Sequence, residues 1–242
     1  MICEECPRRC GAERTETEGK GVCRMPLAPV LARAALHKWE EPTISGTRGS
    51  GTIFFSGCSL KCVFCQNEQI SRDCFGRPVT MVRLREICME LIAQGAHNIN
   101  LVNPTHYAHA VSELLEEPLP VPVVWNSGGY EKAETLRRLE GKVQVYLPDL
   151  KYALPGPAKK YSAEEDYFDW AGPALLEMFR QTGPYQMENG LLKRGVLIRH
   201  LLLPGELENT KAVIDFVART FRPGDVLFSL MSQYTPQSGA MG

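Results

Sequence analysis

Strand and helix patterns alternate along this chain six times, and that alternation leaves few folds open. The apolar, β-branched run GTIFFS at 51–56 begins the series, and NINLV (98–102), VPVVW (121–125), KVQVYL (142–147), GVLIRHLLL (195–203) and DVLFSLM (225–231) follow it. Helical patterns lie between them. MVRLREICMELIAQG (81–95) is apolar at 84, 87, 88, 91 and 92, with Gly95 placed as its C-cap. HYAHAVSELLEE is stopped by Pro118, and EKAETLRRL (131–139) and NTKAVIDFVART (209–220) follow; the long insert from Pro155 to Gly190 predicts a helix around Ala174–Gln181. Short apolar strands separated by such helices predict an α/β fold with a parallel sheet and right-handed crossovers. In parallel barrels the chemistry collects on loops at the C-terminal strand ends.

The cysteines point to what that chemistry is. Seven of the nine fall in two tight sets with metal-ligand spacing. Cys58, Cys62 and Cys65 lie in GTIFFSGCSLKCVFCQN, at the exit of the first predicted strand. They are one ligand short of a closed site. A 4Fe–4S cluster takes one thiolate per iron, so the triplet leaves one iron free for another ligand. A zinc site with three protein ligands and an open position has the same arithmetic. Three such residues within eight at a strand exit are hard to obtain from core packing alone.

The second set, Cys3-x2-Cys6-x3-Cys10-x12-Cys23, has the four thiols of a closed site. Zinc and an auxiliary 4Fe–4S cluster both suit that count. Glycine and charged residues dominate the intervening loop, which favours zinc; Cys3, near the chain end, can also be a bystander. Residues 1–30 have almost no periodic apolar pattern, so this segment cannot build its own hydrophobic core and needs a metal to hold it. Residues 31–50 read as a connecting segment and 51–242 as the barrel. Cys88 sits on the apolar face of its helix and reads as core, while Cys74 stays ambiguous.

The 242 residues are 44% hydrophobic and 23% charged, which suits one globular unit with one sizeable core. Net charge is −1 with no long run of Lys or Arg, so neither nucleic acid nor an anionic membrane is favoured as a partner. No apolar stretch approaches a membrane span, and MICEECPRRC is no signal peptide. Clustered CxxC-type spacings suit metal ligation in a reducing compartment, which implies a cytoplasmic location.

CxxxCxxC after a first β-strand resembles the radical S-adenosylmethionine (SAM) superfamily. The longer stretch HKWEEPTISGTRGSGTIFFSGCSLKCVFCQN is similar to the branch that contains pyruvate formate-lyase activating enzyme. The resemblance continues through NLVNPTHY, WNSGGYE, YLPDLKY, IRHLLLPG and SLMSQYTP, each closing a predicted strand. It implies a partial (β/α)6 barrel with parallel strands, a 4Fe–4S cluster on Cys58, Cys62 and Cys65, and SAM chelated to the fourth iron. The implied reaction is reductive cleavage of SAM to a radical that abstracts hydrogen from an unknown protein or small-molecule substrate, with a peptide glycine as one candidate. The reductant would be a partner such as flavodoxin or ferredoxin. No catalytic acid–base pair is needed, and none is evident. Relatives usually continue through a closing helix after the sixth strand, so the final C-terminal layer is expected to be missing.

The same resemblance nominates cofactor-binding residues. Phe64 occupies an aromatic position near the adenine, or shields the cluster from water. Asn103 and Thr105, in the loop after the second strand, are candidate SAM contacts, although Asn103-Pro104-Thr105-His106 departs from the activating enzyme's glycine-rich, acidic version and His106 can equally cap the next helix. Asn126 and Ser127 take the place of an Asp–Thr pair, or serve as a polar turn. Asp149 and Lys151 can hold a zwitterion such as the methionine backbone, or form a plain ion pair. Arg199 lies inside an apolar strand, where an unpaired charge is costly, so it should point into the barrel toward an anion such as the SAM carboxylate or Asp149. Ser229, Met231 and Gln233 are weaker candidates on the last strand. The alternative reading is a non-catalytic iron–sulfur or zinc protein that binds a partner through its Cys-rich N-terminus.

Overall fold

A computed structural model describes residues 2–236. Its strands are β1 (Val30–His37), β2 (Ser50–Phe55), β3 (Arg77–Pro78), β4 (Ile99–Val102), β5 (Val123–Ser127), β6 (Val145–Pro148), β7 (Gln186–Glu188), β8 (Leu191–Leu201) and β9 (Leu227–Met231). The helices are α1 (Pro42–Ser45), α2 (Glu68–Ser71), α3 (Met81–Ala93), α4 (Ala108–Leu114), α5 (Ala133–Arg137), α6 (Pro155–Ser162), α7 (Tyr167–Thr182) and α8 (Leu207–Thr220). Six strands, β2-β4-β5-β6-β8-β9, run parallel in that spatial order. They form the predicted partial (β/α)6 barrel, with the Cys-rich segment ahead of it.

Strand alternation divides the core in two. Val124, Val145, Leu147 and Leu197 face one another inside the barrel and pack on Ile44. Ile53, Phe55, Ile99, Leu101, Trp125, Tyr146, Val196 and Ile198 face the other way, against the helices. Cys88 lies in that outer core, fully buried.

The connecting segment 31–50 holds more structure than its sequence suggests. β1 adds an antiparallel strand to the edge of β2, with His37 paired to Ser50. The next residues double back, and Ile44 of α1 enters the barrel from its N-terminal end with no exposed surface. Asn98 Nδ2 donates to Ile44 O (2.7 Å) and Ser50 Oγ donates to Asn98 Oδ1 (2.5 Å), which fixes this plug.

Several helices differ from expectation at their ends. The pattern after residue 105 splits into a 3₁₀ turn, Thr105–Tyr107, and the shorter α4. α5 is limited to Ala133–Arg137. α7 begins at Tyr167 and runs through Pro173, because Tyr167, Ala171, Ala174, Leu175 and Met178 together bury a face long enough to outweigh the proline. Thr80 caps α3 by accepting from Arg83 N–H (3.1 Å), and Gly95 follows that helix at φ +96°, as a C-terminal glycine does. Among the described residues, no helix is long and apolar enough to cross a membrane.

Candidate metal and cofactor site

The C-terminal ends of all six parallel strands surround one cavity of about 330 Å³. Phe54 and Phe55 come from β2, Val102 and Asn103 from β4, Asn126 and Ser127 from β5, Asp149 from β6, Arg199 and Leu201 from β8, and Met231 and Gln233 from β9. Cys58, Cys62 and Cys65 line its β2 side together with Phe64.

The three thiols ring this cavity and do not converge on one point: among the described residues, no three Cys, His, Asp or Glu side chains surround a single ion. Thiols spread around a cavity suit a polynuclear cluster better. Burial pushes the Cys58 thiol up to about 11 and the Cys62 thiol upward as well. Such groups become thiolates only beside a cation, as metal coordination supplies. Each sulfur already has a donor: Leu60 N–H to Cys58 (3.4 Å), Ser162 Oγ to Cys62 (3.0 Å) and Ser71 Oγ to Cys65 (3.4 Å). The residues present therefore fit a 4Fe–4S cluster on three protein ligands.

Opposite the thiols lies an ionic layer. Arg199 points inward and donates from Nε to Asp149 Oδ1 (2.9 Å), from Nη1 to Glu40 Oε1 (2.7 Å) and from Nη2 to Asn126 Oδ1 (2.8 Å). Lys151 Nζ donates to Asp149 Oδ2 at 2.6 Å. Burial alone would raise the Asp149 carboxyl, but Arg199 and Lys151 together hold it below the usual carboxylate range. Asp149 in turn holds Lys151 in its charged form against the cost of burial. Glu40 was not evident in the sequence. It lies in a segment without periodicity, yet it also accepts from Asn126 Nδ2 (2.9 Å) and Asn100 Nδ2 (3.2 Å).

The remaining nominated residues separate by position. Phe64 lies between Tyr161, edge-on at 6.0 Å, and the Lys151 ammonium, 6.0 Å from its ring centre. Ser127 faces the cavity and accepts from Gly129 N–H at 3.3 Å. Asn103, at φ +57°, turns its amide back to donate to Gly57 O, beside the cysteine loop. Thr105 is not brought into the cavity: its hydroxyl donates to Glu131 Oε1 at 2.8 Å, in a buried pocket shared with Trp125 Nε1 (3.0 Å). His106 is likewise turned away, its Nε2 paired with Ser56 O at 2.7 Å. Met231 and Gln233 line the cavity, and Ser229 sits one register step deeper, beside Arg199.

The sequence profile of the 4Fe-4S single cluster domain family matches residues 45–173, just over half of the chain. The chain belongs to this family. The match spans the cysteine triplet and the strand ends through Asp149. Across 97% of its length the chain is also 32% identical to the uncharacterized protein MJ0674 of Methanocaldococcus jannaschii, and it spans 66% of that relative.

Two solved structures share its fold. Methylornithine synthase (PylB) is 17% identical with a TM-score of 0.52, covering 78% of this chain and 54% of its own. Streptococcus suis SuiB bound to S-adenosylmethionine is 13% identical with a TM-score of 0.50, covering 76% of this chain and 40% of its own. The chain thus shares the partial-barrel fold of these two proteins.

Proposed function

We propose that the chain is a radical SAM enzyme. The observation that carries this reading is the placement of an incomplete set of cluster ligands opposite a paired carboxylate and ammonium in one cavity. Cys58, Cys62 and Cys65 would hold three irons of a 4Fe–4S cluster, and the amino and carboxylate groups of SAM would complete the fourth. When bound and reduced by one electron from an external reductant, such a cluster would pass that electron to the sulfonium of SAM, the chemistry that yields methionine and a 5′-deoxyadenosyl radical able to take a hydrogen atom from substrate.

The chain's own residues bind and orient. Asp149 and Lys151 present adjacent opposite charges to the zwitterionic end of SAM. Arg199 is already matched by Asp149 and Glu40, so it keeps Asp149 ionised and fixed and is not a free anion receptor. Phe64, Leu201 and Met231 give the same cavity an apolar wall that excludes water beside Lys151. The sequence resemblance to pyruvate formate-lyase activating enzyme supports a finer reading: the abstracted hydrogen comes from a glycine of a partner protein, and the electron arrives from flavodoxin or ferredoxin in the cytoplasm.

The test is anaerobic. Protein reconstituted with iron and sulfide is given dithionite and SAM, and 5′-deoxyadenosine is measured against a Cys58→Ala control. Product in the wild type alone, with an EPR spectrum that changes on adding SAM, supports the reading. Product no higher than the control sinks it.

A further inference from the structure

The N-terminal segment presents a second problem of stability. Between residues 2 and 28 the structure has no helix or extended strand, only the bridges Ile2–Glu13 and Arg14–Gly19. Prolines and an alanine aside, its apolar side chains at or near full burial are Cys3, Cys6, Cys23 and Met25. Three of these four are cysteines, so the interior of the segment is largely thiol. None of them forms a disulfide.

The local backbone is shaped to gather those thiols. Arg9, just before Cys10, and Arg24, just after Cys23, take left-handed φ values of 42° and 59°, which turn the chain sharply at each site. Gly21 leaves room for Cys10: a Cβ there would lie 2.9 Å from its sulfur. Arg14 Nη1 lies 3.6 Å from Cys3 Sγ, a positive group beside what would be an anionic tetrathiolate. None of the four main cavities is lined by these cysteines, in contrast to the triplet. A single ion needs no such space, whereas a cubane does.

The segment also grips the loop that carries the triplet. Arg8, two residues after Cys6, donates from Nε to Ser59 O (2.7 Å) and from Nη2 to Leu60 O and Ser162 O (both 3.4 Å), and it pairs with Glu164. Ser59 and Leu60 lie between Cys58 and Cys62, and Ser162 is the donor to the Cys62 sulfur. On the other side, Cys23 and Met25 pack against Gly57, where a Cβ would lie 2.7 Å from Cys23 O.

We infer that Cys3, Cys6, Cys10 and Cys23 bind one zinc ion, and that this ion clamps the Gly57–Cys65 loop through Arg8 and the Cys23–Met25 contact. Zinc closes the segment that would otherwise have no core, and the closed segment holds the loop backbone in place. As they stand these four thiols, like the triplet, do not surround a single point; binding zinc would rotate them inward, the usual coupling of metal binding to local folding. The inference rests on the radical SAM reading only for why the loop matters; the zinc site and the clamp stand without it.

The experiment separates the two. A Cys58→Ala/Cys62→Ala/Cys65→Ala chain holds no cluster and is purified with zinc present. Elemental analysis should find one zinc per chain, lost on adding Cys6→Ser and Cys23→Ser. Hydrogen exchange across residues 57–65 of the cluster-free chain is then read before and after zinc is stripped with a chelator. The expected change is acceleration by roughly tenfold or more, confined to this loop and the N-terminal segment. Arg8→Ala should keep the zinc and accelerate exchange in the loop alone, which covers the case in which the double serine variant fails to fold. No zinc in the cluster-free chain, iron in its place, or unchanged exchange after zinc removal would each overturn the inference.

Discussion

Replacing Glu40 with Gln tests the ionic layer of the barrel. Glu40 reaches the interior from the segment between β1 and α1 and is one of two carboxylates facing the mostly buried Arg199, the other being Asp149. Glu40→Gln keeps the shape but removes one negative charge, leaving Arg199 and Lys151 opposed by Asp149 alone. The amide also places an N–H₂ where Asn126 Nδ2 and Asn100 Nδ2 now donate, so donor meets donor. Breaking a buried ion pair by removing one partner costs about 3–5 kcal/mol, and the surviving carboxylate puts this case near ~3 kcal/mol.

An independent estimate agrees, since unit charges 4 Å apart interact by about 4 kcal/mol at an effective dielectric of 20. With ~2.1 cal/mol/K per residue of unfolding entropy, a chain of 242 residues has ~0.5 kcal/mol/K, so the loss corresponds to a fall of ~6 °C in Tm. Equilibrium urea unfolding of the cluster-free protein, followed by circular dichroism, reads the same difference directly. The control is Glu208→Gln, whose partner Lys211 lies 2.7 Å away with both side chains more than half exposed; it should cost less than about 0.5 kcal/mol. A Glu40→Gln loss no larger than the control's would refute the claim that these charges are coupled and desolvated.

Glu131 gives a pH test. Burial pushes its carboxyl up to about 7, against the Trp125, Ser127 and Thr105 donors that lower it. A carboxyl raised on folding binds more protons in the folded chain, so stability falls as pH rises from the unfolded value near 4.3 through about 7. The difference is roughly 4 kcal/mol. Urea midpoints from pH 4.5 to 8 should decline, and Glu131→Gln should flatten that decline; an unchanged slope in the variant would refute the assignment. Gly129 sits at φ +76°, with Asp149 O and Tyr167 Oη in the space a Cβ would fill, so Gly129→Ala should lower Tm by several degrees and weaken SAM binding with it. Lys151→Met should weaken SAM binding by roughly tenfold or more in equilibrium titration, because its ammonium pairs with Asp149 on the cavity wall; binding within about twofold of wild type would refute that role.

Much of this architecture was legible because strands buried on both faces leave unbroken apolar runs. GTIFFS, NINLV and VPVVW could be placed within a residue or two for that reason. Arg199 stood out for the converse reason, a charge within an apolar run. β1 was missed because VLARAALH mixes polar and apolar residues without strict alternation, and its pairing to β2 is a long-range property. Glu40 was missed because nothing local marks a carboxylate that reaches into a barrel from below; only the positions of Arg199, Asn126 and Asn100 give it meaning. Thr105 looked equivalent to Asn103, two residues earlier, but the left-handed turn at Asn103 and the 3₁₀ turn after it send the two side chains to opposite sides of β4.

The loop from Gly57 to Cys65 has no regular secondary structure of its own, so the precision of its three sulfurs is imported. Asn103 holds Gly57 O from β4, Ser162 reaches Cys62 from the end of α6, Ser71 reaches Cys65 from α2, and Arg8 holds the Ser59 carbonyl from the N-terminal segment. Four separate elements thus fix one short loop. A backbone held only by its own turn would open at little cost, since local unfolding follows the number of buried and hydrogen-bonded contacts a segment makes. Three of these four holds lie within the barrel unit itself. The fourth, Arg8, belongs to a segment that has almost no apolar interior except its cysteines. That fourth hold is only as firm as whatever closes Cys3, Cys6, Cys10 and Cys23, so substitutions in the N-terminal segment should loosen the Gly57–Cys65 loop far from them in sequence.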